Sequence, residues 1–399
     1  MHRLRMLRGT PTAALIVVCL ALFTDMLIYG MVVPLVPTYA RTFGVSQGVI
    51  GLLFGSYAAA LLLATPLFGL LADRVGRRGP LLWGLLGLAA ATLLFAFAGS
   101  FPLLLLARVL QGISGAATWT AGLALLADVA PPQTRGRTMG LAMSAMALGT
   151  LVGPTFGGFL YEWGGYRLPF LIAAGIALLD GLARLLLLTN PPYQRGAHTT
   201  LWRFARDRRM LLLNGVVVLG ASVITLLEPT LPLHLERQLG ASPGMIGLLF
   251  GAITLAYALT SPVAGALADR WGRMPVMLFG MIGVGLLLPL VVLPTTLLVT
   301  AGVLFLLGML IAPLLTPTMA ELADTVDSYG QGGYGAAYAI YNAAYAVGMM
   351  FGPVSGGLLA QVFGLTTALI VFGVIGWLYA LLLLLVLLRR RSGVAVQES

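Results

Sequence analysis

The sequence predicts an all-α integral membrane protein of twelve spanning helices, arranged as two six-helix bundles. Three observations predict it. Hydrophobic residues make up 59% of the 399 and charged residues only 9%, with mean hydropathy +0.98, whereas soluble domains carry about a quarter charged residues. Apolar runs of about the ~20 residues that cross a bilayer as a helix recur along the whole chain, and the ~10-residue alternation of membrane strands is absent. Finally, Gly69-Leu-Leu-Ala-Asp73-Arg74-Val-Gly76-Arg77-Arg78-Gly79 returns nearly unchanged as Gly265-Ala-Leu-Ala-Asp269-Arg270-Trp-Gly272-Arg273-Met-Pro275.

The elements follow in order. The opening MHRLRMLRGT imitates a signal peptide, but the apolar run behind it continues through Val36, carries Asp25 and lacks a small-residue cleavage site, so it reads as span 1 at 13–36. Spans 2 to 6 are expected at 48–72, 79–98, 101–127, 138–162 and 168–188. The proline-containing, polar and basic stretch 189–209 is the one long connection and reads as a cytoplasmic linker, with a short amphipathic helix expected around Leu201 to Arg208. Spans 7 to 12 follow at 210–234, 244–268, 275–294, 297–322, 333–360 and 364–388. The domains are thus an N-terminal bundle at 1–188, the linker at 189–209 and a C-terminal bundle at 210–399. A constant offset of 196 relates the two loop motifs, Gly51–Gly55 to Gly247–Gly251, and Asp128 to Asp324. A period of half the chain means parallel duplication, an arrangement in which a substrate site lies between the halves.

Charge sets the topology. The net charge is +10 with no lysine, and 18 of the 23 arginines fall at the amino terminus, after spans two, four, six and eight, or at Arg389 to Arg391. That positive-inside bias places both termini in the cytoplasm and explains the basic patches without nucleic acid. Cys19 is the only cysteine, and His2, His198 and His234 are scattered, so neither a disulfide nor a metal site is expected. No phosphate-binding glycine loop or nucleophile elbow occurs, which argues against an enzyme and against a cofactor.

A charge inside a span is expensive and marks function by default. Asp25 lies about thirteen residues into span 1, or ~20 Å at 1.5 Å per residue. That is roughly 10 Å short of the outer edge of a ~30 Å core. Arg108 enters span 4 from the opposite side to a similar depth, so the two are expected to meet. Glu228, in Leu226-Leu227-Glu228-Pro229, is the corresponding acid of the second half. Asp180 and Arg184, four apart in span 6, read as a local ion pair with Arg184 reaching the cytoplasm and no transport role.

Two helix faces stand out. Gly149, Gly153 and Gly157 recur every four residues in span 5 and so share a face suited to close backbone approach, beside Pro154 and Gly158. Gly348, Gly352, Pro353, Gly356 and Gly357 repeat the device in span 11. Tyr334, Tyr338, Tyr341 and Tyr345, spaced four, three and four, form a stripe on span 11. It serves either packing or the cation–π attraction of an organic cation.

The loop motif from Gly69 to Arg78 and its echo resemble the signature of the major facilitator superfamily, and the likeness covers essentially the whole chain. Arg108-Val-Leu-Gln-Gly112-Ile-Ser-Gly115 resembles its fourth-span motif, and Gly149-Thr-Leu-Val-Gly153-Pro154-Thr-Phe-Gly157-Gly158 its antiporter motif. Asp25-Met-Leu-Ile-Tyr-Gly-Met-Val-Val-Pro34, the stretch around Glu228, and Tyr334 to Asn342 are similar to spans one, seven and eleven of the vesicular monoamine transporters. The chain is therefore identified as a bacterial-type relative of those proteins among the drug:proton antiporters. The resemblance implies exchange of amphiphilic organic cations for protons. In it Asp25, Glu228 and Arg108 couple protons, and Asp25, Glu228, Tyr338, Tyr341 and Asn342 contact the substrate. Asp73, Arg74, Arg77, Arg78 and Asp128, with Asp269, Arg270 and Arg273 in the second half, form the gating cluster.

The chain departs from that pattern at Asn342 and Ala312, where the vesicular proteins carry aspartates, which leaves proton stoichiometry open; it also lacks their long loop between spans one and two. A plasma (inner) membrane location is expected, with a monomer in the bilayer. Two other readings stay open: a uniporter or symporter of a neutral nutrient, and a membrane receptor that has lost transport.

Overall fold

The computed structural model describes residues 10–130, 135–188, 206–327 and 334–395. Among these, twelve helices are long and apolar enough to cross a membrane. Spans 1 to 6 are Pro11–Phe43, Gln47–Val75, Arg78–Phe97, Phe101–Val129, Thr138–Gly164 and Arg167–Leu187. Spans 7 to 12 are Arg208–Leu239, Pro243–Trp271, Arg273–Val292, Leu297–Val326, Ala339–Phe363 and Leu365–Val386. The number and order match the expectation, and the helix expected around Leu201 to Arg208 falls almost wholly outside the described residues.

Span 1 runs past its expected end at Val36. Pro34 and Pro37 interrupt the ladder only locally, as a 3-10 turn over Val33–Leu35, and the helix resumes at Val36–Phe43 before Gly44 ends it. Its start is fixed by Thr10, whose hydroxyl accepts from the Ala13 N–H at 3.2 Å. Both signature loops turn at a glycine with positive φ, 86° at Gly76 and 89° at Gly272, a conformation strained for any residue with a Cβ.

Contacts divide the chain into two compact units, Met1–Gly196 with Gly240–Gly251, and Ala197–Leu239 with Ala252–Ser399. In the first, span 1 packs on span 5, span 2 on span 4, and span 3 on spans 4 and 6. The glycine face of span 5 is why the first pair is close. A Cβ on Gly153 would lie 2.7 Å from the Leu27 carbonyl oxygen and one on Gly157 2.6 Å from that of Met31, while one on Gly149 would overlap the Phe23 carbonyl. Gly30 returns the fit by making room for the Pro154 ring. The second unit repeats the seam, with Gly348, Gly352 and Gly356 of span 11 against Val218, Ser222 and Leu226 of span 7. Large apolar side chains such as Leu63, Trp83 and Leu298 remain exposed, as hydrocarbon-facing surfaces do.

Candidate functional site: a buried carboxylate held by neutral donors

Asp25 is fully buried where spans 1, 2 and 4 meet. Its Oδ2 accepts from the Trp119 indole Nε1 at 2.8 Å and from the Tyr57 hydroxyl at 3.1 Å. Its Oδ1 is buried and takes no hydrogen bond from the protein. The fourth-span motif explains the room for this: a Cβ on Gly115 would come within 2.9 Å of the Tyr57 hydroxyl and 3.3 Å of Asp25 Oδ2. Gly112 lets spans 2 and 4 close, since a Cβ there would stand 2.9 Å from Ala60 Cβ.

The expected meeting of Asp25 and Arg108 does not occur as an ion pair. Arg108 is fully buried but turns to its own helix and to span 1, donating to Gln111 Oε1 at 2.8 Å and to the Tyr29 carbonyl at 3.4 Å. Its guanidinium lies 4.8 Å from the ring centroids of both Tyr29 and Phe54, 5.8 Å from Phe95 and 5.9 Å from Tyr57. Gln111 lies one turn along the same helix and needs no long-range placement. The rings supply the attraction that a desolvated cation otherwise seeks from a carboxylate.

Asp180 and Arg184 do pair, Nη2 to Oδ2 at 2.5 Å, but both side chains are fully buried, so Arg184 does not reach the cytoplasm as expected. Its Nη1 instead donates to the Leu81 carbonyl of span 3 at 2.5 Å. Arg78, at the start of span 3, answers by donating to the Leu185 carbonyl of span 6 at 3.2 Å. Spans 3 and 6 are thus joined by two arginines pointing in opposite directions.

The charge cluster expected to gate the first unit centres on Arg77, which binds Asp73 at 2.6 Å and Asp128 at 2.9 Å. Burial pulls its pKa down, but the two carboxylates outweigh that and hold it above the usual arginine value. Arg74 is exposed and stands outside this network. In the second unit Arg273 pairs with Asp324 and, at 3.7 Å, Glu321, and donates to the Ala320 carbonyl at 2.5 Å. Asp269 and Arg270 are exposed and are in none of the described ion pairs. The repeat therefore preserves Arg77–Asp128 as Arg273–Asp324 and exchanges the partner on the preceding helix for Glu321.

Glu228 is buried in span 7, 8% exposed, with Pro229 and Pro232 inside the same helix. In the same unit Tyr341 is buried, its hydroxyl 3.1 Å from Thr318 Oγ1 of span 10. Asn342 is half-buried beside Tyr341. The side chains of Tyr334 and Tyr338 fall outside the described residues. The sequence reading missed Tyr57 and Trp119. Their available signal was chemical: a tyrosine or tryptophan inside an apolar span needs a partner for its O–H or N–H.

Twelve apolar helices in two sequence repeats, with isolated charges buried inside the spans, define a polytopic membrane protein of the duplicated-bundle class. Its family follows from comparison: the chain belongs to the Major Facilitator Superfamily, whose model matches residues 18–228 and again 213–399. It is 37% identical over 340 residues to the chromaffin granule amine transporter of Rattus norvegicus and 35% over 336 residues to that of Homo sapiens, covering 83% of this chain and 64% of each relative. The chain thus spans under two thirds of those proteins' length. It is also 33% identical over 396 residues to a probable vesicular acetylcholine transporter-B of Danio rerio, covering 93% of this chain and 78% of that one. In fold it is similar to a bacterial homolog of the human lysosomal transporter Spinster in an inward-facing, occupied conformation. That match has a TM-score of 0.81 at 17% identity and covers 93% of this chain and 95% of that one.

Proposed function

We propose that the chain is a proton-coupled antiporter that exports amphiphilic organic cations, such as monoamines or drugs, by alternating access. The observation that carries this is Asp25: a carboxylate wholly removed from water, held by two neutral donors and outside any ion pair with the arginine at its depth. A buried ion pair locks its charge, whereas a carboxylate bonded to neutral groups can gain a proton or a cation without stranding a partner. Similarity to amine and acetylcholine transporters supports an amine as the cation. Glu228 with Tyr341 and Asn342 of span 11 is the anionic and aromatic side of this reading in the second half, for the same class of ligand, and Tyr338 joins it on the sequence resemblance alone. Arg77 with Asp73 and Asp128, and Arg273 with Asp324, serve as cytoplasmic latches, and the glycine seam of span 5 carries the antiporter motif. The arginine distribution supports both termini and the linker at 189–209 on the cytoplasmic side, and the short connection between spans 1 and 2 favours a plasma (inner) membrane over a vesicle.

The test is uptake into proteoliposomes under an imposed pH gradient, with a panel of cationic amines and uncharged nutrients. The expected result is accumulation of a cation driven by the gradient, lost in Asp25→Asn while the variant still inserts and folds. Gradient-driven uptake at the wild-type rate in Asp25→Asn removes Asp25 from the coupling. Movement of an uncharged nutrient alone makes the chain a uniporter or symporter, and binding without movement makes it a receptor.

A further inference from the structure

We propose that Asp25 exchanges its proton through Oδ1 alone, and that Trp119 and Tyr57 are the positioning residues that enforce this by occupying Oδ2. The inference rests on the proton-coupled reading above and deepens it to the level of atoms. A carboxylate oxygen offers two lone-pair sites. At Oδ2 both face donors, the Trp119 indole at 2.8 Å and the Tyr57 hydroxyl at 3.1 Å. An indole N–H can donate and can never accept, so it cannot turn to receive a proton placed on the oxygen that it faces. Oδ1 is as deeply buried and takes no hydrogen bond from the protein.

Protonation therefore forms the O–H bond at Oδ1 and leaves Oδ2 as the carbonyl oxygen, still accepting from both donors. On release that O–H bond breaks, its electron pair stays on the carboxylate, and the proton passes to a water molecule. Trp119 and Tyr57 keep their bonds in both states, so the two donors stay in place while opening of the surrounding helices brings water to Oδ1. The charged neighbours leave Oδ1 clear. On span 4 Arg108 is bound by Gln111 and the Tyr29 carbonyl. On span 6 Arg184 is held by Asp180 and the Leu81 carbonyl. On span 1 Tyr29 stacks against Tyr57, their ring centroids 4.7 Å apart. Span 5 presents glycine backbone to span 1. Gly115, with no Cβ, leaves the space in which the Tyr57 and Asp25 side chains meet.

The experiment is infrared difference spectroscopy of the purified full-length chain in lipid, stepping pH across the titration of Asp25. A protonated-carboxyl band absent from Asp25→Asn identifies the residue. Trp119→Phe keeps the ring and removes the N–H, and Tyr57→Phe keeps the ring and removes the hydroxyl. Each is expected to move that band to higher frequency, because the carbonyl oxygen is Oδ2 and has lost a donor; a change of packing alone leaves the carbonyl frequency in place. If the band is present and neither variant moves it, the proton sits on Oδ2 and the inference falls alone. If no pH produces a band that Asp25→Asn removes, the inference falls together with the proton-coupled reading.

Discussion

At the scale of single residues, the two acids differ in what surrounds them. Asp25 has neutral hydrogen-bond donors, while Glu228 is buried in span 7, in the same unit as Tyr341 of span 11. A carboxylate attracts a protonated amine strongly where water is excluded, and the rings act on its hydrocarbon part as well. Glu228→Gln is therefore expected to weaken a cationic ligand by about tenfold or more, roughly 1.4 kcal/mol, and to leave an uncharged isostere nearly unaffected. Tyr341→Ala is expected to weaken both ligands. Equilibrium binding in detergent separates the two outcomes, and equal cation affinity in wild type and Glu228→Gln leaves Asp25 as the counter-charge. That Asp25 and Arg108 sit inside spans 1 and 4 was legible in the sequence, and both are buried there. Their failure to pair was not. It depends on which way Arg108 turns around its helix, and that is decided by Gln111 and by rings from spans 1, 2 and 3.

At the scale of elements, the latch and the glycine seam behave differently under mutation. Arg77 shares two carboxylates, and the Asp73 side chain is 49% exposed against 23% for Asp128. Each exposed contact is worth about 0–1 kcal/mol. Asp128→Asn is expected to loosen the ends of spans 2 and 4 that carry Asp73 and Asp128 more than Asp73→Asn. Labelling of single cysteines along the half of span 4 that ends at Asp128, in a Cys19→Ala background, measures it. Equal labelling in wild type and both variants, with normal transport, reduces the cluster to a topology signal. The seam is less forgiving. Gly153→Ala places a methyl against the Leu27 carbonyl and is expected to cost about 1–3 kcal/mol by overpacking. Gly140→Ala on the same helix meets nothing and is the control, with thermal unfolding in detergent as the measurement. The four-residue spacing makes one face of the helix smooth; that its partner is the backbone of span 1 depends on tertiary packing, which spacing does not encode.

At the scale of the whole molecule, duplication was legible because the loop motif and Asp128 recur at one offset, and the drift between the halves was not. Arg273 keeps its Asp324 yet takes Glu321 where Arg77 takes Asp73. A reader matching motifs letter by letter places Asp269 in the cluster, and only the side-chain geometry removes it. The clasp between spans 3 and 6 bears on how the molecule is made. Span 6 must enter the bilayer carrying Asp180 and Arg184, and a charged residue near the centre of a lone helix disfavours insertion by about 2.5–3.5 kcal/mol. Within the folded unit that burden is relieved by the ion pair and by the Leu81 carbonyl. Span 6 synthesised alone is therefore expected to integrate poorly, and to integrate well behind spans 1 to 5, in translation into membranes scored by protease protection. Asp180→Ala removes one of the two charges from the lone segment and should make the difference smaller; full integration of the isolated wild-type segment would end the idea. The order of birth on the ribosome, with span 3 waiting in the membrane before span 6 emerges, then becomes a condition of correct assembly: the earlier helix is a berth for the later one's arginine.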